Sequence, residues 1–181
     1  MNTPPAASNP SQAPQPAAEP DLSQYTILVV DDNAQNVELL VAYLETLPCR
    51  IETASGGIEA MRYIEQRDTP PDLILLDVMM PRMSGFEVCQ RIKEDPQTKS
   101  IPILMVTALN ELGDIERAVE SGTDDYLTKP VNKIELITRV KSLLKVRHLK
   151  RELDRTMAYI EDLEARPSDR DDEADGAGPL A

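Results

Sequence analysis

The chain has 181 residues and a formal net charge of −13. Such acidity disfavours direct binding to nucleic acid, whose phosphate backbone attracts basic surfaces, so the expected partner is a protein. No segment approaches the roughly 20 apolar residues of a membrane-spanning helix, and no contact with a membrane is expected. Length and composition together predict one domain with extensions.

The chain begins with a stretch that cannot supply a core. Residues 1–23 are rich in Pro and Ala and poor in large apolar residues, which predicts a disordered arm. The arm has neither the basic start nor the apolar run of a secretion signal. Cys49 and Cys89 fit no metal-binding spacing and are expected to be reduced packing residues. We therefore expect a cytoplasmic protein.

The central part, residues 24–147, alternates strand and helix patterns. Strands are predicted at Ile27–Val30, Arg50–Thr53, Leu73–Leu76, Ile101–Val106 and Tyr126–Thr128. Helices are predicted after Asn33, from Gly56-Gly57, around Phe86–Ile92, around Leu112–Val119 with an end at Gly122, and from Val131. Five strands alternating with five helices predict an α/β domain with a doubly wound, five-stranded parallel sheet.

Polar side chains follow four of these strands. Asp31-Asp32, Asp77, Thr107 and Lys129 each stand at the end of an apolar run. The carboxyl ends of parallel strands meet at one edge of a sheet, where open α/β folds build their sites. Any one of these residues alone could simply be a helix cap, a turn residue or a solvated strand end. Their joint placement at four strand ends favours a functional site.

The predicted cluster has a definite chemistry. Three carboxylates about 4 Å apart repel by some 4 kcal/mol per pair at an effective dielectric near 20, so they need a cation. Oxygen ligands alone favour Mg²⁺ over zinc. One carboxylate could then attack phosphorus and form an acyl phosphate, with Lys129 as the neutralising ammonium and Thr107 as a hydroxyl donor. Asp77 is the expected nucleophile because it stands alone at its strand end.

Four motifs carry a resemblance to a known family. They are VVDDN at Val29–Asn33, LLDVMMPRMSGFE at Leu75–Glu87, MVTAL at Met105–Leu109 and GTDDYLTKP at Gly122–Pro130. From about Tyr25 to Arg147 the sequence resembles the receiver domains of bacterial two-component response regulators, which have a flavodoxin-like fold. The resemblance implies that Asp77 accepts a phosphoryl group from a sensor histidine kinase or a phosphotransfer protein.

The resemblance also implies roles for other residues. Asp32, Asp77 and the backbone carbonyl of Met79 would bind Mg²⁺, with Asp31 acting largely through water. The Lys129-Pro130 bond would be cis, although the sequence alone equally allows a trans proline at the start of a helix. Phosphorylation would draw Thr107 toward the phosphate and let the ring of Tyr126 fill the vacated space. In the family this switch remodels the surface of the fourth helix, fifth strand and fifth helix.

Some regulators of this family dimerise through that same surface. They pair acids such as Asp124 and Asp125 with a basic residue such as Arg139, and all three are present here. Glu111 and Ile115 occupy positions where basic residues are expected on the fourth helix, which argues against this mode of dimerisation.

The last helix is predicted to run past the domain. Apolar residues recur at alternating spacings of three and four through residues 148–164, which predicts a helical extension and a parallel coiled coil joining two copies. The alternative is a helix that folds back on its own domain. Residues 165–181 are acidic, with Pro and Gly, and are predicted to be a disordered tail. We expect output through protein binding rather than through a DNA-binding or enzymatic domain.

Two other functions would use some of the same residue types. A phosphatase of the haloacid dehalogenase type also uses an aspartate and Mg²⁺, but it needs Asp-x-Asp after its first strand rather than adjacent Asp31-Asp32. A phosphotransfer role for His148, the one histidine, lacks the acidic neighbour and proline of kinase acceptor motifs. We expect a protein that catalyses only its own phosphorylation and dephosphorylation.

Overall fold

The computed structural model describes residues 20–108, 116–117 and 119–165. Most of the predicted arm, the predicted acidic tail and most of the predicted fourth helix lie outside these residues. Residues 116–117 and 119–120 are helical. A short 3-10 helix at Leu22–Gln24 lies at the predicted boundary of the arm, and Asp21 caps it by accepting from the Ser23 amide.

The sheet has five parallel strands in the order β2-β1-β3-β4-β5. Their bounds are Thr26–Val30 for β1, Arg50–Ala54 for β2, Leu73–Asp77 for β3, Ile103–Thr107 for β4 and Asp125–Thr128 for β5. Every residue of β3 and β4 is buried, as expected for central parallel strands that helices cover on both faces. The predicted doubly wound parallel sheet is confirmed.

The strand β4 begins two residues later than the apolar run predicts. Pro102 has no amide hydrogen to give to a ladder, and its carbonyl accepts from the Ile74 amide just before the strand begins. Ile101 is fully buried but belongs to the preceding turn, where its amide donates to the Thr98 carbonyl.

Four long helices cover the sheet among the described residues. They are α1 at Ala34–Leu44, α2 at Gly57–Glu65, α3 at Gly85–Glu94 and α4 at Lys133–Ala165. Asn33 caps α1 by accepting from the amides of Gln35 and Asn36, as predicted. The helix α4 begins two residues after the predicted Val131 because the Asn132 side chain accepts from the amides of Ile134 and Glu135.

Each face of the sheet carries its own core. One core places α2 and α3 against Leu28, Ile74 and Met105. The other places α1 and the first half of α4 against Ile27, Leu75 and Leu104. Successive strand residues thus point to opposite cores, and the carboxyl ends of the strands are left at one exposed edge.

Gly122 ends the helical turn that precedes β5, as predicted. Its φ of 84° lies in the left-handed region, and its amide donates to the Val119 carbonyl. No helix within the described ranges combines the length and the apolar character that crossing a membrane requires.

Candidate functional site

Four strand ends meet at the carboxyl edge of the sheet. Asp31 directly follows β1, Asp77 is the last residue of β3, Thr107 is the last of β4, and Lys129 directly follows β5. The register aligns these ends, since Val30 lies beside Leu76, Asp77 beside Val106 and Thr107 beside Thr128. The predicted convergence of these residues is therefore present.

The three carboxylates form one cluster with the ammonium. Asp31, Asp32 and Asp77 each place a carboxylate oxygen within 4.8 Å of the others. Lys129 Nζ donates to Asp31 Oδ2 at 2.9 Å and to Asp77 Oδ1 at 2.6 Å. Asp31 and Asp77 are only 1% and 5% exposed, whereas Asp32 lies open to solvent. The cluster is thus buried at its base and accessible at its rim.

Asp31 is held in place by more than the ammonium. Its Oδ1 accepts from the Asn33 amide at 2.8 Å. Asn36 Nδ2 donates to both of its oxygens, at 3.2 and 3.0 Å. These donors satisfy the hydrogen-bonding capacity of a buried carboxylate. The role of Asn36 was missed at the sequence level, where the available signal was a second asparagine in the first turn of α1.

Burial and charge act in opposite directions on the two groups that meet at 2.6 Å. Desolvation raises the pKa of Asp77, partly opposed by the hydrogen bond and charge of Lys129. Desolvation alone would lower the pKa of Lys129, but its hydrogen bonds to Asp77 and Asp31 outweigh it and the net pKa is raised. The ammonium of Lys129 therefore keeps its charge. Beside it, the ionised form of the Asp77 carboxylate is less favoured than it would be in water.

The loop after Asp77 is packed tightly. The Gly85 amide donates to the Val78 carbonyl at 2.9 Å, and a Cβ on Gly85 would overlap the Asp77 carbonyl oxygen. Ser84 and Glu87 form a capping box at the start of α3. Sequence reasoning did not single out Gly85, although a glycine beside a helix cap is a signal for close backbone approach.

Three further residues have predicted roles at the site. Thr107 is 8% exposed, and its carbonyl accepts from the Lys129 amide at 2.7 Å. Tyr126 is 36% exposed on β5, and Met79, two residues beyond Asp77, is 66% exposed. The switch roles of Thr107 and Tyr126, and the metal-binding role of the Met79 carbonyl, stay predictions. The Lys129-Pro130 peptide bond is cis, in agreement with the resemblance.

The residues present fit a hard divalent cation. Three carboxylates and one ammonium leave two negative charges unbalanced at the cluster. The donors are oxygens alone, and the exposed Asp32 leaves one side open to water. Mg²⁺ prefers such ligands and retains several waters.

The fold and this site define a class of protein. Residues 27–141 match the response regulator receiver domain family, and the chain belongs to that family. The response regulator PleD of Caulobacter vibrioides is 49% identical over 117 residues, which are 65% of this chain and 25% of PleD. The chain spans between a quarter and about half of the length of the curated relatives it matches.

Solved structures show the same likeness. The receiver domain of the sensor histidine kinase PA1611 from Pseudomonas aeruginosa, which has a magnesium ion coordinated in its active-site cleft, is 31% identical with a TM-score of 0.61, over 66% of this chain and 97% of that chain. The phosphorylated cyanobacterial phytochrome response regulator RcpA is 33% identical with a TM-score of 0.58, over 66% of this chain and 90% of that chain.

The residues expected at a family dimer surface are engaged within the chain. Arg139 Nη1 donates to both carboxylate oxygens of Asp125, at 2.8 and 2.6 Å. Asp124 accepts from Lys93 Nζ and from the Ile103 amide, both at 2.7 Å. Glu111 and Ile115 lie outside the described residues.

The weighed alternatives find little support. Membership of the receiver family argues against a haloacid dehalogenase phosphatase. His148 is partly buried, and its Nδ1 lies 2.7 Å from the Tyr25 hydroxyl. This contact gives Nδ1 of His148 a structural role.

Proposed function

We propose that the chain is a phosphoacceptor module of a two-component phosphorelay and that Asp77 receives the phosphoryl group. The observation that carries the proposal is the short contact between Lys129 Nζ and Asp77 Oδ1, 2.6 Å, inside a cluster of three carboxylates. The donor is the phosphohistidine of a sensor histidine kinase or a phosphotransfer protein. The likeness to phosphorylated RcpA supports this proposal.

The transfer uses groups that are already in place. A carboxylate oxygen of Asp77 attacks the phosphorus atom, the phosphorus–nitrogen bond of the donor breaks, and its electron pair stays on the imidazole. An acyl phosphate results. Lys129 neutralises charge on the transferred group, and Asp31 holds the ammonium from its other side through the 2.9 Å contact.

Magnesium belongs to the proposal. Asp32, Asp77 and the Met79 carbonyl would hold it, with Asp31 acting largely through water. When bound, the ion supplies positive charge that offsets the crowded carboxylates and the incoming phosphoryl oxygens. The magnesium ion in the PA1611 receiver domain and the oxygen-only donor set support this assignment.

The output is a change in protein binding. Thr107 lies on β4 beside β5, which carries Tyr126 next to Met105. A phosphoryl group on Asp77 adds charge and acceptor oxygens that draw the Thr107 hydroxyl inward, and the Tyr126 ring follows into the vacated space. The surface that includes β5 then favours a different partner. A cytoplasmic setting is part of this proposal and is supported by the free thiols Cys49 and Cys89.

The acceptor assignment is tested by labelling. Acetyl phosphate with Mg²⁺ is expected to phosphorylate the wild-type chain. It should phosphorylate the Asp32→Asn variant more slowly and the Asp77→Asn variant not at all. Intact mass measures the modification, and thermal melts verify that each variant folds. Labelling of Asp77→Asn at the wild-type rate would contradict the assignment of Asp77.

A further inference from the structure

The packing of the helix α4 changes from apolar to polar along its length. In its first part Leu136, Val140 and Leu144 are fully buried and form the face that packs on the sheet. Beyond Leu144 the same side of the helix becomes polar, with Arg147 and Arg151 in the following turns. The helix therefore leaves the apolar core at this point and is held by polar contacts.

Three polar contacts fix the direction in which the helix leaves. Arg147 Nη1 donates to the Ser100 carbonyl at 2.9 Å. His148 Nδ1 pairs with the Tyr25 hydroxyl at 2.7 Å, and Arg151 forms a 2.5 Å ion pair with the buried Asp72. Tyr25, Asp72 and Ser100 all precede strands, so the helix is anchored at the sheet edge opposite the acidic cluster. Beyond these contacts the helix continues unbroken to Ala165 and the side chains of residues 152–162 are exposed, so this part of the helix does not fold back on its own domain.

The anchored helix exposes a long apolar stripe. Its main members are Val146 (61% exposed), Leu149 (48%), Leu153 (59%) and Ile160 (47%). They are separated by three, four and seven residues, the spacing that the seam between two helices requires. Within the part of the chain that the structure describes, these side chains stay open to solvent. A contiguous exposed apolar stripe of this kind favours burial against a binding partner.

Charge is divided between the two halves of this segment. Residues 145–151 carry four basic side chains and no acidic one. Lys145 and Lys150 are exposed, whereas Arg147 and Arg151 contact their own domain. Residues 152–164 carry five acidic side chains, Glu152, Asp154, Glu161, Asp162 and Glu164, and one basic residue, Arg155. The segment is therefore complementary to itself only when a second copy runs in the opposite direction.

We propose that the stripe docks a second copy of this chain, with the two α4 helices antiparallel and centred between Asp154 and Arg155. This pairing sets Leu149 against the partner's Ile160 and Leu153 against the partner's Thr156. The exposed Lys145 and Lys150 then face the acidic end of the other helix over an overlap of about 30 Å. A parallel pair, as the heptads alone predict, would place Lys145 beside the partner's Lys150 and acidic end beside acidic end.

Cross-linking of the full chain tests the orientation. Leu149→Cys and Ile160→Cys, carried on tags of different size, are mixed and treated with a short bismaleimide. The antiparallel pair predicts a heterotypic product in severalfold excess over cross-linking of either variant with itself. Ala158→Cys, exposed but off the stripe, is the matched control and should give little product. Equal or stronger homotypic cross-linking would overturn the antiparallel arrangement.

A charge reversal gives an independent readout. Lys150→Glu removes attraction to the partner's acidic end and should raise the dimer dissociation constant about threefold to tenfold, as a few surface charge pairs would. A parallel pair predicts the opposite, because the variant would create an attraction with the partner's Lys145. Sedimentation measures the constant. Tighter association of Lys150→Glu, or a wild-type chain that is monomeric at about 100 μM, would overturn the proposal.

Discussion

At the scale of single residues, Lys129 holds the site together. Its ammonium bridges two nearly buried carboxylates, Asp31 and Asp77, and its own side chain is 23% exposed. An ion pair so placed stabilises mainly by sparing each partner an uncompensated buried charge. The same contact orients the carboxylate of Asp77, the proposed phosphoacceptor.

Replacement of Lys129 should therefore weaken the fold without magnesium. Lys129→Met leaves Asp31 and Asp77 short of a partner and should lower the free energy of unfolding by about 1–3 kcal/mol. Added Mg²⁺ should raise the free energy of unfolding of the variant by more than it raises that of the wild type, and so recover part of the loss. Denaturant melts with and without Mg²⁺ measure both effects. Lys141→Met, at an exposed position on α4, is the control, and equal melts for the two variants would contradict the bridging role.

The two thiols carry a prediction about pH. Burial raises the pKa of Cys49 to about 11 from an ordinary 9.0, and burial likewise raises the pKa of the Cys89 thiol. The folded state thus holds these protons more tightly than the unfolded state. This difference contributes stability that is fully present below the ordinary pKa of 9.0 and is lost as the pH rises toward about 11.

Thiol chemistry measures this directly. At pH 8 the native protein should react with a disulfide reagent about a hundredfold more slowly than the denatured chain, because the nucleophile is the thiolate. Reaction of both thiols at the denatured rate would show that they are not protected by the fold.

At the scale of elements, the loop between β3 and α3 packs closely against the backbone of Asp77. Gly85 lets the first turn of α3 lie directly against the Asp77 carbonyl. Arg82 in the same loop has a φ of 69°, a left-handed conformation that is costly for a side-chain residue. The loop is thus built around close backbone contact.

A methyl group at Gly85 should disturb that contact. Gly85→Ala is expected to destabilise the fold by about 1–3 kcal/mol and to slow labelling of Asp77 by acetyl phosphate, because the backbone after Asp77 must shift. Thermal melts and initial labelling rates are the measurements. A variant with wild-type stability and labelling rate would show that the loop accommodates the added methyl group without destabilising the fold.

The elements also show how far sequence reasoning reached. The apolar runs before Asp31, Asp77 and Lys129 placed the strands and hence the site, because parallel strands end at a common edge. The contacts of Asn36 and Gly85 could not be predicted, since they depend on how α1 and α3 pack onto that edge. The exact starts of β4 and α4 were missed because Pro102 and Asn132 act through local backbone hydrogen bonds, which the periodicity of apolar residues does not reveal.

At the scale of the whole molecule, the proposed binding of magnesium would be linked to folding. The chain carries a net charge of −13, and the three clustered carboxylates add local repulsion to this excess. A cation that binds only the folded state raises stability in proportion to the logarithm of its concentration.

Millimolar Mg²⁺ should accordingly raise the melting temperature of the wild-type chain by a few degrees. Asp32→Asn, at the exposed rim of the cluster, should blunt the increase, whereas Asp68→Asn, an exposed acid elsewhere on the surface, should leave it intact. Scanning calorimetry is the measurement. An increase that survives in Asp32→Asn would place the ion away from the cluster.

The most direct test of the central claim is to locate the phosphoryl group chemically. After phosphorylation by a phosphohistidine donor in Mg²⁺, borohydride reduces an aspartyl phosphate to homoserine, and peptide mass spectrometry identifies the converted residue. We expect homoserine at position 77 and unchanged aspartates at positions 31 and 32. Conversion at Asp31 or Asp32, or label retained on His148 with Asp77 unmodified, would contradict it.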